Sequence, residues 1–265
     1  MIPLAPALCS VTFRQLPPEE IVALARQAGL AAIEWGGDVH VPAGDVAMAR
    51  HVRRITEEAG LLPASYGSYL YPPDHGLEDF RRVLDTCHAL GSSNVRIWPG
   101  RRNRPSATYD AAERGEAAGL IRAMGELAGG AGISVSLEYH PNSLTDETGS
   151  AANLMDAIAH ANVHLYWQPR PGLPLDEACE EIARIGTRVS HVHVFAWDGA
   201  RRRYALADHA KWWSAVFAAL PESRFEGVRY AMLEFVRDDA PEAFLADAAT
   251  LRHLLDRDGR APANA

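Results

Sequence analysis

Four polar side chains stand at the ends of four successive apolar runs in the second half of the chain. Glu138 closes the run from Ile133, Gln168 follows Val163–Trp167, His193 lies in Val189–Val194, and Glu234 comes near the end of Val228–Phe235. Two carboxylates, one imidazole and one amide oxygen make a hard, mixed O/N donor set. Such a set suits a divalent ion, manganese first, with magnesium, cobalt or zinc as alternatives. Glu138 and Glu234 are also the catalytic candidates. A carboxylate that holds such an ion can remove a proton from a carbon beside a carbonyl, and the ion polarises that carbonyl as a Lewis acid.

Further candidates fall at other run ends. Glu34, Tyr66, Arg96, Trp98, His140 and Arg170 are expected to bind substrate. Glu34 is equally a strand-end acid for a salt bridge, and Arg96, inside an apolar run, needs an anion or a partner such as Glu34 or Glu138. His140, two residues past Glu138, is a proton shuttle or a polar support. His191 shares a strand face with His193 one layer deeper, which suits a supporting role. Tyr66, Tyr69, Trp98, Trp167 and Trp197 are an aromatic wall for the C–H face of a sugar, or core filling. Seven arginines (101, 102, 104, 170, 201, 202 and 203) fall in loops that follow strands, which points to an anionic small molecule at the mouth.

The elements that must carry these residues alternate strand, loop and helix eight times. Strands are expected at about 8–12, 32–35, 62–66, 94–98, 133–138, 163–167, 189–194 and 228–235. Helices follow, opened by signals such as Pro17-Pro18-Glu19-Glu20 and Asp45 and closed by Gly29, Gly60 and Gly91. Eight alternations within about 250 residues match a single (β/α)8 barrel, an α/β fold whose strand C-termini carry the chemistry. A doubly wound sheet also alternates, but no GxGxxG follows the first strand and no Walker loop occurs. The barrel is expected over 1–257, with 258–265 a frayed tail.

The bulk properties restrict the function. The chain of 265 residues carries a formal charge of -8, against a non-specific nucleic-acid or anionic-membrane binder. Cys9, Cys87 and Cys179 form no CxxC pair, so no zinc knuckle or disulfide framework is expected. The opening Met1-Ile-Pro-Leu-Ala-Pro has no basic region followed by a long apolar run, and no stretch is long enough to span a membrane. A cytoplasmic protein, able to form a homo-oligomer, is expected.

The Glu138 strand, the His191-Val-His193 strand and the Glu234 strand resemble those of the xylose isomerase-like TIM-barrel superfamily, the sugar phosphate isomerase/epimerase group. Cys9-Ser-Val-Thr-Phe13 and Gly29-Leu-Ala-Ala-Ile-Glu34 are similar too. The group includes keto-sugar epimerases, hydroxypyruvate isomerases, inosose and 3-dehydroshikimate dehydratases, and metal-dependent AP endonucleases. Its metal pattern of Glu, Asp, His and Glu on strands five to eight would fall on Glu138, Gln168, His193 and Glu234. The chain departs at strand six, where the family's Asp and the His three residues later are replaced by Gln168 and Pro171. The resemblance implies an isomerase or epimerase of a keto-sugar, sugar acid or sugar phosphate. The alternatives are a dehydratase or decarboxylase acting on a 3-keto sugar or cyclitol, and a non-catalytic sugar-binding subunit. DNA repair fits less well, since the acidic chain lacks a basic surface to follow phosphates.

Overall fold

The computed structural model describes residues 4–257. Eight strands, β1 Leu4–Cys9, β2 Ala32–Gly36, β3 Leu62–Gly67, β4 Asn94–Ile97, β5 Ser134–Glu138, β6 Val163–Trp167, β7 Val189–Val194 and β8 Arg229–Leu233, run parallel in sequence order and close into a barrel where β8 pairs with β1. Eight helices surround it: α1 Pro18–Gln27, α2 Val46–Glu58, α3 Leu77–Leu90, α4 Ala111–Gly129, α5 Thr148–Ile158, α6 Leu175–Ile185, α7 Ala210–Ala219 and α8 Pro241–Arg257. The expected (β/α)8 barrel is therefore present. The tail 258–265 lies outside the described residues. Among those residues, no helix is long and apolar enough to cross a membrane.

Local chemistry sets the boundaries. Pro18 opens α1, where its missing N–H costs nothing. The Asp45 carboxylate accepts the Met48 N–H at 2.9 Å and starts α2. Gly91, at φ 77°, closes α3 in the left-handed conformation. The first strand departs from expectation. It ends at Cys9, and Ser10–Phe13 form a buried 3₁₀ turn. Side-chain bonds to the end of β2 and to the loop after β8 draw these residues out of the sheet: Ser10 Oγ accepts the Gly36 N–H, and Thr12 Oγ1 accepts that of Phe235.

The large apolar core lies between strands and helices, with Phe13, Trp35, Phe80, Trp167, Trp213 and Phe244 nearly or fully buried. The barrel interior is different. Its apolar part is small and holds Ala5, Ala7, Ala32 and Ala64 with the larger Tyr166, Tyr230 and Met232. Below the mouth a polar network fills the rest: Ser65 donates to Asn94, Asn94 donates to Ser134 and Ser136, and Ser136 meets Ser190. Hydrogen bonding within this network offsets the cost of burying it.

Candidate active site

Strand alternation puts Glu34, Arg96, Glu138, Tyr166, His191, His193 and Met232 inside the barrel. Register then sets Glu138 beside Tyr166 and His193 beside Met232. Gln168 and Glu234 each lie one residue past a strand end. The Glu234 N–H still bonds the Val194 carbonyl at 3.0 Å, so its side chain stays at the rim. The four expected ligands therefore meet. His193 Nδ1 stands 3.4 Å from Gln168 Oε1, 3.5 Å from Glu234 Oε2 and 3.8 Å from Glu138 Oε1. The donor atoms of Glu138, His193 and Glu234 lie within 4.8 Å of one another. Two donors about 2.1 Å from one tetrahedral ion stand roughly 3.4 Å apart, so these separations fit a shared cation.

Charge supports the same fit. Glu34, Glu138 and Glu234 are buried here against the single guanidinium of Arg96. Three carboxylates and one arginine leave a formal excess of two negative charges in a low-dielectric site, which a divalent ion would neutralise. Gln168 is turned to take part: its Nε2 donates to the Tyr139 carbonyl at 2.7 Å and to Glu138 Oε1 at 3.1 Å, which leaves Oε1 on the His193 side.

The two catalytic candidates differ. Glu138 Oε2 is held by the Trp98 indole N–H and by Arg96, and its Oε1 takes the Gln168 amide. Glu234 has no such donors among the described residues and borders the open cavity, so it is the freer base.

Glu34 and Arg96 form the floor. Arg96 Nε and Nη2 each reach Glu34 Oε1 at 3.0 Å, the Cys9 thiol donates to the same oxygen, and Tyr166 donates to Oε2 at 2.5 Å. Burial raises the Glu34 carboxyl, but the Arg96 charge and the hydrogen-bonded His193 and Tyr166 hold it well below the usual carboxylate range. Burial, with the neighbouring Glu34 and Glu234 charges, pushes the Cys9 thiol up, so it stays protonated. Gly67 makes room for this pair, since a Cβ there would stand 2.5 Å from Arg96 Nη2.

Two expected substrate contacts are corrected. Glu34 is fully buried under Arg96 and does not line the cavity. Tyr66 points outward between barrel and helices, where its hydroxyl donates to the Val41 carbonyl at 2.8 Å. A parity shift explains Tyr66: the β2–β3 register slips between Ile33 and Glu34, which turns β3 by one residue. Trp167 also faces outward, with its indole donating to Glu181. Arg96 does border the cavity, but three of its nitrogens are committed to carboxylates.

Trp98, His140 and Arg170 do line the cavity, which has a volume of about 640 Å³. The His140 ring lies 4.5 Å from that of Trp98, and its Nδ1 meets the Pro141 carbonyl at 2.8 Å. Burial pushes His140 down to about 4, so it is neutral at pH 7 and offers one ring nitrogen as a hydrogen-bond acceptor. Arg170 is tied to Glu177 and Glu181 on α6. The arginine-rich mouth is likewise mostly neutralised: Arg101 pairs with Asp74, Arg104 with Glu113, Arg202 with Asp198 and Arg203 with Asp239, while Arg102 covers the Tyr71 ring. Of the seven loop arginines, Arg201 alone has no acid or ring partner among the described residues, and it faces the cavity.

Sequence reasoning missed Arg14, Asn103, Phe195 and Phe235, all of which line the cavity. Backbone geometry marks several of the lining residues. Tyr69, Asn103, Asn142, Arg201 and Phe235 have φ between 51° and 62°, a left-handed region that non-glycine residues seldom occupy and that clusters at functional sites.

The closed eight-stranded (β/α)8 barrel defines the fold class, and sequence comparison agrees. Residues 22–254 match the family described as xylose isomerase-like TIM barrel, and the chain belongs to that family. A curated relative, the 3-dehydroshikimate dehydratase of Bacillus anthracis, is 26% identical over 171 residues, which cover 60% of this chain and 59% of the relative. Two solved structures share the fold. The IOLI protein, with a bound zinc atom, has a TM-score of 0.70 and 14% identity, covering 96% of this chain and 99% of that one. A D-allulose 3-epimerase from Methylomonas sp. has a TM-score of 0.70 and 15% identity, covering 97% and 99%.

Proposed function

We propose that this chain is a divalent-metal isomerase or epimerase that moves a proton at the carbon beside the carbonyl of a keto-sugar or a related sugar acid or phosphate. The carrying observation is the meeting of Glu138, Gln168, His193 and Glu234 around one point in a floor with two excess negative charges. These four residues would hold the ion, and the ion when bound supplies Lewis-acid polarisation of the carbonyl. Manganese is the leading choice from the hard donor set; the zinc of the IOLI structure supports a divalent ion without selecting manganese.

Glu234 removes the carbon-bound proton. Glu138, held by Trp98, Arg96 and Gln168, keeps its orientation. Neutral His140, whose Nδ1 is held by the Pro141 carbonyl, accepts a hydrogen bond from a substrate hydroxyl, and Trp98 offers an aromatic face to the C–H groups. Arg201 pairs with an acid or phosphate group of the substrate. The asymmetry between the two carboxylates favours an isomerase, in which one base shifts a proton between adjacent carbons. Epimerisation needs proton transfer on both faces of the same carbon.

One observation favours a second reading. A dehydratase also needs one strong base beside the carbonyl, and the curated relative is a dehydratase. Incubating the metal-supplemented protein with ketoses, sugar acids and inososes in D₂O tests both. Deuterium beside the carbonyl at constant molecular formula supports isomerisation, and loss of water from the product supports the lyase. If no compound takes up deuterium with manganese, magnesium, cobalt or zinc present, the catalytic reading is wrong.

A further inference from the structure

Arg14 lies just after the 3₁₀ turn that follows β1, at the edge of the cavity, and no role in proton transfer falls to it. Its guanidinium nevertheless reaches residues of three other loops. Nε donates to Asp38 Oδ2 at 2.8 Å in the β2–α2 loop, and Nη2 donates to the Tyr69 hydroxyl at 2.7 Å in the β3–α3 loop. Its central carbon stands 5.5 Å from the ring centre of Phe235 in the β8–α8 loop. A second bond ties the same loops, from the Phe235 N–H to Thr12 Oγ1 at 3.1 Å.

The two aromatic residues that Arg14 touches are both in left-handed backbone, Tyr69 at φ 56° and Phe235 at φ 51°. Aromatic side chains leave that region unless their surroundings hold them there. Tyr69 packs edge-on against Trp98 with ring centres 4.8 Å apart, and the Trp98 indole donates to Glu138. A line of contacts therefore runs from Arg14 at the rim through Tyr69 and Trp98 to a carboxylate of the cluster.

We propose that Arg14 is a positioning residue that clasps the loops after β1, β2, β3 and β8 into one wall of the cavity, holding Tyr69 and Phe235 against the substrate and so setting which ligands fit. The clasp depends on the proposed function only for what occupies the cavity. Its geometry stands on the chain's own contacts. A planar, bidentate guanidinium suits the task, since one group must meet a carboxylate, a phenol and a ring face at once.

Hydrogen exchange followed by mass spectrometry on the full chain, comparing the unaltered protein with Arg14→Met and Arg14→Lys, tests the clasp without any substrate. Loss of the clasp is expected to speed exchange roughly tenfold in peptides covering both 68–71 and 234–237, with Arg14→Lys in between. Unchanged exchange in either segment overturns the proposal. With whichever compound takes up deuterium, Arg14→Met should raise KM about tenfold, with a far smaller change in kcat, as expected for loss of one charge-assisted contact that shapes binding. Calorimetric affinity for manganese should be unchanged. A fall in kcat at constant KM, or weaker manganese binding, assigns Arg14 to the metal cluster and also overturns the proposal. If no compound is turned over, the exchange measurement still decides the clasp, and only the proposed chemistry fails.

Discussion

Replacing Arg96 by Met removes the guanidinium that pairs with both Glu34 and Glu138. Glu34, fully buried, keeps Tyr166, Cys9 and His193 as its remaining neighbours, and Glu138 keeps Trp98 and Gln168. Removing one partner of a buried ion pair costs roughly 3–5 kcal/mol, because the remaining charge is left uncompensated. With an unfolding entropy of about 2.1 cal/mol/K per residue over 265 residues, or ~0.56 kcal/mol/K, Tm should fall by about 5–9 °C. The pH dependence gives a sharper test. In the unaltered protein the Glu34 carboxyl is held below its unfolded value, so its contribution is present above about pH 4.5 and fades as the pH falls below that. Without Arg96, burial dominates and raises the same carboxyl, so the sign reverses. The penalty should then shrink between pH 7 and pH 5, by up to about 2.7 kcal/mol for one proton. Adding Glu34→Gln should recover part of the loss, since it removes one of the two carboxylates that lose their guanidinium, Glu138 being the other. Equilibrium urea denaturation at both pH values, with calorimetry, measures these differences. A loss below about 1 kcal/mol, a penalty independent of pH, or a double variant no more stable than Arg96→Met would refute the charge argument.

Other consequences follow from the same geometry. Chelation should lower Tm by about 5 °C relative to protein saturated at a hundredfold excess over Kd, since binding to the folded state at that level is worth ~2.7 kcal/mol; no shift with any divalent ion would remove the metal from the proposal. Arg201→Ala should raise KM about tenfold for an anionic substrate and leave a neutral analogue unaffected, whereas neutralising Arg101 or Arg203, already paired with acids, should change little; kinetics with a matched phosphorylated and free sugar decide this. Gly67→Ala should displace Arg96, whose Nη2 would lie 2.5 Å from the new methyl group, and should weaken metal binding measured by calorimetry; unchanged affinity would show that the floor adapts.

The order of elements, and the nearness of the four candidate ligands to one another, were legible because both rest on local pattern. Apolar runs of strand length, punctuated by caps such as Asp45 and Gly91, define eight βα units, and a barrel carries the polar residues at the strand ends to one mouth. Glu138, Gln168, His193 and Glu234 could be picked out before any coordinates because each lies at or within a residue or so of a strand's C-terminal end. Other features needed the tertiary structure. A one-residue slip in the β2–β3 register turned Tyr66 away from the cavity, and register comes from pairing rather than from the composition of one strand. Arginines that looked like a basic mouth prove to be paired with Asp74, Glu113, Asp198 and Asp239, because a charge in sequence says nothing of the partner that packing brings to it. The roles of Arg14 and Phe235 depend on backbone angles and on contacts between loops 24 to more than 200 residues apart, which exist only once the barrel closes.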